Sequence, residues 1–123
     1  MNCSKFLADT NVLLYVISGN PAVFDYIKEE FYISEISEIE LLGNKGITDI
    51  QLKYRSKIID NCTVVSLFEY IKRIAIQFKQ SYTLKIPIAI IAATAIYLNI
   101  PLLPADKDFK KIKGLDLILI QPL

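Results

Sequence analysis

The sequence predicts an α/β fold: a three-layer α/β/α sandwich with a central, mainly parallel five-stranded sheet. Three observations predict it. Short apolar or β-branched runs alternate with segments of helical period along the chain, the pattern of βαβ crossovers. The first run, Lys5-Phe6-Leu7-Ala8, is apolar after its first residue and stops at an acid, which suits a strand buried on both faces. A chain of 123 residues with 53% apolar content can bury one core and has no room for a second. Residues 1–123 are therefore read as a single domain.

Asn11 to Ile17 has helical spacing and halts at Ser18-Gly19-Asn20-Pro21, a stop followed by a restart. Ala22 to Glu29 reads as a second helix, and the aromatic, β-branched Phe31-Tyr32-Ile33 as a second strand. Ser34 or Ser37 can cap the next helix, which carries Glu40 and ends near Gly43. Ile47 to Ile59 repeats apolar residues at helical intervals. Thr63 to Leu67 gives a third strand, and Phe68 to Phe78 an amphipathic helix. Pro87 opens an Ala-rich helix, as its fixed φ favours at a first turn. Leu102-Leu103 is the fourth strand and Leu117-Ile118-Leu119-Ile120 the fifth. Ile86 to Ala105 holds about twenty residues without a charge, close to a spanning length. Pro87, Asn99, Pro101 and Pro104 break that stretch into a buried helix, a turn and a buried strand, against a membrane span.

The net charge of +1 gives no global attraction to nucleic acid, so any phosphate-binding surface must be local. Histidine is absent, which removes Ser-His-Asp hydrolysis, paired-His cleavage of RNA and His-based zinc sites. Cys3 and Cys62 are too few for a disulfide framework or zinc knuckle; each begins an apolar run and reads as a reduced, half-buried strand residue of a cytoplasmic protein. Lys5 and Asp9 precede any long apolar run, which argues against a secretory signal.

Asp9 and Asp106 each follow a strand, and in parallel sheets functional groups collect beyond the strands' carboxyl ends. Each can also serve simply as a helix cap, as can Asp108. Among three nearby glutamates, Glu40 lies one turn beyond Ile36 on the inward face, Glu38 points the other way toward solvent, and Glu35 sits at the helix start. An acid at the edge of an apolar face needs a cation or donors, which singles out Glu40.

The segments Asp9-Thr10-Asn11-Val12-Leu13, Glu40-Leu41-Leu42-Gly43 and Asp106-Lys107-Asp108-Phe109 resemble, in order and wording, the PIN-domain family and its VapC-like toxin branch. Pro87-Ile88-Ala89-Ile90-Ile91-Ala92-Ala93-Thr94 resembles the family's Ala-rich helix, with isoleucine at position 88 where the third acid normally stands. Pro104 likewise replaces the usual Thr or Ser, and the glycine after Glu40 comes one residue early. The resemblance implies a metal-dependent endoribonuclease with Asp9, Glu40 and Asp106 as catalytic metal ligands. It implies Asp108 as an alternative ligand or an orienting group, and Thr10 and Asn11 as residues that orient the ligands.

Clustered carboxylates suit Mg²⁺ or Mn²⁺ without histidine, and such an ion can activate water and hold a phosphodiester in line. Isoleucine cannot ligate a metal, so weak metal binding and weak or absent cleavage are expected. Lys85, Lys107 and Lys110 can draw an RNA backbone toward the acids, or can form an ordinary solvated surface. The expected partners are RNA and an antitoxin protein, with a homodimer common to this branch. Two other readings remain: a non-catalytic PIN scaffold binding RNA or protein, and an unrelated phosphatase or receiver-like domain built around Asp9.

Overall fold

The computed structural model describes residues 5–26 and 30–118. The elements run β1 (Lys5–Ala8), α1 (Thr10–Ser18), a 3₁₀ turn (Pro21–Val23), β2 (Glu30–Ser34), α2 (Glu35–Leu42), α3 (Asp49–Asp60), β3 (Thr63–Val65), α4 (Glu69–Ser81), α5 (Ile86–Leu98), β4 (Leu102–Leu103) and a second 3₁₀ turn (Lys107–Lys111). The four strands form one sheet in the order β3-β2-β1-β4, and every pairing is parallel. This is the expected α/β architecture.

Strand alternation sorts the core into two halves, one on each face of the sheet. Leu7 and Leu102 join α5, Ile71 and Phe109 in one cluster, whereas Phe6, Ala8 and Leu103 join Val12, Leu13, Ile33 and Leu41 in the other. The central α5 is buried from Ile88 through Ala95 and ends where Asn99 turns left-handed at φ 55. The charge-free stretch is thus helix, turn and strand, and among the described residues no helix is long and apolar enough to cross a membrane.

Three elements differ from expectation. The helix over Ala22–Glu29 is instead the 3₁₀ turn Pro21–Val23, capped by the Asn20 side chain and followed by turns to Tyr26. The Asn20 side chain accepts the Ala22 amide at 2.9 Å and Pro21 sits at the first position, which fixes the tight turn there; residues 27–29 lie outside the described residues. The third strand stops at Val65, two residues early, because the Leu67 amide donates to the Glu35 carboxylate at 3.0 Å rather than to a neighbouring strand. The fifth strand is reduced to one parallel bridge, Leu102 with Leu117, beside which the Ile118 amide donates to the Leu102 carbonyl at 2.9 Å; Leu119 and Ile120 lie outside the described residues. Cys62 is half-buried as expected but sits in the turn before β3, and burial pushes its thiol up to about 11. Cys3 lies outside the described residues.

The strand order creates the place for a site. From β1 the chain crosses to β2 and then β3 on one side, and only later returns to lay β4 on the other side of β1. The crevice between the carboxyl ends of β1 and β4 is therefore the point where winding reverses, the usual location of ligand sites in such sheets.

Candidate active site

Asp9 stands at that reversal. Its amide donates to the Leu103 carbonyl at 3.1 Å, continuing the pairing of β1 with β4 by one step. The side chain turns inward and is buried, at 3% exposure. Oδ1 accepts the Asn11 amide at 3.3 Å and so caps α1; Oδ2 accepts the amides of Ala105 at 2.9 Å and Asp106 at 3.2 Å. Burial raises the carboxyl above its ordinary value of 3.8; the three amides oppose that rise, and the nearby Asp106 charge adds to it. Cap and candidate ligand are one residue here.

Asp106 is half-buried in the segment after β4, and its Oδ1 accepts the Asp108 amide at 2.8 Å, capping the second 3₁₀ turn. Glu40 comes from α2. Ser34, not Ser37, caps that helix by accepting the Ile36 amide at 3.2 Å. Gly43 ends it, where a Cβ would meet the Ile39 carbonyl oxygen at 2.6 Å. Glu40 is exposed as a residue, yet its Oε1 accepts from Thr10 Oγ1 at 2.7 Å. Glu38, expected in solvent, is half-buried.

Asp9, Glu40 and Asp106 line a single cavity of about 170 Å³. Thr10, Asn11 and Lys85 line it too, and Pro87, Ile88 and Ile91 supply the wall from α5. Ile88 is 6% exposed, so the face that α5 turns to the acids is apolar at the first turn. Lys85 is exposed and forms no ion pair among the described residues. Asp108 does not line the cavity; its carboxylate pairs with Lys111 at 3.2 Å. Lys107 and Lys110 are exposed outside it. Lys111 also reaches the Thr83 carbonyl at 3.3 Å, and the Lys113 amide donates to the Tyr82 hydroxyl at 3.2 Å. Part of the basic tract therefore ties the second 3₁₀ turn to the α4–α5 connection.

Sequence reasoning weighed Ser37 only as a cap. Its side chain is fully buried and lies 2.8 Å from Thr10 Oγ1. The available signal was its place three residues before Glu40 on the inward face of α2, where a hydroxyl needs a partner.

The donor set matches a hard divalent cation in kind: three carboxylates, the Thr10 hydroxyl and the Asn11 carboxamide, with no histidine in the chain. It is short in number. Ile88 adds no oxygen, Asp9 Oδ2 already accepts two amides, and among the described residues no three acids converge closely enough to form a ready cage.

A PIN-domain family model matches residues 6–115. Among solved structures, a toxin–antitoxin complex from Klebsiella pneumoniae is similar at 27% identity and TM-score 0.78, covering 92% of this chain and 95% of that one. DNA-bound VapBC from Salmonella typhimurium gives TM-score 0.82 at 17% identity, over 94% and 98% of the two chains. VapBC-5 from Mycobacterium tuberculosis, a member of the VapBC family of toxin–antitoxin systems, gives 0.68 at 16% identity, over 96% and 98%. No curated protein matches the chain by sequence. With the model covering nearly the whole sequence and the sheet, crevice and acids arranged as described, the chain belongs to the PIN-domain family.

Proposed function

We propose that this chain is a VapC-like toxin of a toxin–antitoxin pair, a metal-dependent endoribonuclease whose activity is weakened by Ile88. The observation that carries the reading is the meeting of Asp9, Glu40 and Asp106 around one cavity at the winding reversal. These three residues would hold Mg²⁺ or Mn²⁺, which when bound supplies Lewis acidity and a more acidic water. The chain's own groups do the remaining work. Thr10 fixes the Glu40 carboxylate, the Ala105 and Asp106 amides fix Asp9, and the Asp108 amide fixes Asp106. Lys85, cationic and exposed at the cavity, attracts an RNA phosphate toward the acids, and Lys107 and Lys110 extend that attraction outside it. The proposed setting is the cytoplasm, the proposed substrate single-stranded or looped RNA, and the proposed partners an antitoxin protein and a second copy of the chain. The comparison structures from Klebsiella and Salmonella, a toxin–antitoxin complex and a VapBC assembly, support the antitoxin.

A second reading, a PIN scaffold that binds RNA or protein without cutting, draws on the same wall: Ile88 offers no oxygen and Asp9 is already engaged. Cleavage of single-stranded RNA in Mn²⁺ separates the two. The first reading expects slow cleavage, lost in Asp9→Asn and raised about 10–100-fold in Ile88→Asp. RNA binding with no cleavage in either the parent or Ile88→Asp would establish the second.

A further inference from the structure

We propose that Ser37 is a positioning residue for this cavity: its buried hydroxyl orients Thr10, and Thr10 in turn holds the Glu40 carboxylate at the wall. The inference deepens the reading above and rests on it for what Glu40 does, though not for how Glu40 is held. Proton counting fixes the direction. An ionised carboxylate only accepts, so across 2.7 Å Thr10 Oγ1 donates its single proton to Glu40 Oε1. Thr10 then has no proton left for its 2.8 Å contact with Ser37 Oγ and must accept there. The chain of donors runs Ser37 to Thr10 to Glu40.

Burial strengthens the link. Ser37 is 0% exposed, so its proton cannot turn to water, and Ser34 already performs the capping that Ser37 might otherwise serve. Each bond in such a chain polarises the next. Glu40, by contrast, belongs to an exposed residue, and a free glutamate side chain would sample many rotamers. Ser37 and Glu40 share one face of α2, and Thr10 opens α1, so the chain also fixes the two helices at the cavity's edge.

The test uses the full chain as wild type, Ser37→Ala, Ser37→Thr, Thr10→Val and the Ser37→Ala/Thr10→Val double variant. Two quantities are read: Mn²⁺ affinity by water-proton relaxation, and hydrogen exchange of the Thr10 hydroxyl by NMR in metal-free protein. Ser37→Ala is expected to weaken Mn²⁺ binding about 10-fold and to speed Thr10 hydroxyl exchange about 5–10-fold. Ser37→Thr keeps both near wild type, and the double variant binds no worse than Thr10→Val, because both changes cut one link. Unchanged exchange in Ser37→Ala, or additive losses in the double variant, overturns the proposal. A wild type that shows Ser37-dependent protection of Thr10 but no Mn²⁺ affinity upholds the hydroxyl chain and overturns the cleavage reading instead.

Discussion

Asp9 and Asp106 are held by main-chain amides, whereas Glu40, on another flank of the same cavity, comes from α2 and is held by a side-chain hydroxyl. The amide-built flank comes with the fold itself: once β4 lies beside β1, the Ala105 and Asp106 amides point at Asp9, and only proline at those two positions would remove them. The hydroxyl-built flank can be erased by one mutation at Thr10. The third wall, from α5, holds nothing, because Ile88 is apolar. The acids of this cavity thus depend on two kinds of support, one supplied by the backbone and one by a side chain.

The largest expected effect lies at the empty wall. Ile88→Asp is expected to raise Mn²⁺ affinity about 10–100-fold while lowering metal-free stability by about 1–3 kcal/mol, because a new carboxylate stands beside existing acids without a cation. Titration calorimetry with Mn²⁺ and urea unfolding without it check the two halves of that trade. An unchanged affinity would mean that the amide-held acids do not act with position 88.

Asp9→Ala comes next, at about 2–3 kcal/mol of lost stability by urea unfolding, since it removes a helix cap and leaves three partly buried amide bonds unmade. Glu40→Ala on the exposed flank is expected to cost under about 1 kcal/mol. Equal losses would erase the distinction between the flanks.

The pH dependence is smaller and has a definite sign. The Asp9 carboxyl is raised above 3.8 in the fold, so the folded state holds that proton more tightly than the unfolded chain does. Stability from this group therefore falls as pH rises from 3.8 to the raised value, and the penalty persists above it. Asp9→Asn is expected to flatten this part of a Tm–pH curve; a slope that survives the substitution would assign it elsewhere. The smallest effect is at Lys85: Lys85→Ala is expected to reduce the salt slope of single-stranded RNA binding by about 0.7.

Much of this was legible in the chain. Strands ending in acids, the Ala-rich helix behind Pro87 and the break at Asn99 follow from local pattern, and they predicted β1, α5 and β4. The residues around the cavity were legible through motif wording, including the apolar Ile88. Backbone donors were not, because an amide has no letter: nothing in Ala105 announces a bond to a residue 96 positions earlier. Ser37 was hidden differently, since a serine near a helix start reads first as a cap. The helix expected over Ala22–Glu29 gives way to a 3₁₀ turn at Pro21–Val23, because Asn20-Pro21 was read as a restart of a helix and not as the cap of a tight turn.

The 96-residue span between Asp9 and its Ala105 donor also sets an order of events in time. A partially synthesised polypeptide possesses the first acid long before the amides that seat it. Until the last quarter of the chain emerges and folds back, the centre does not exist, and whatever the finished protein does is withheld from its own nascent form.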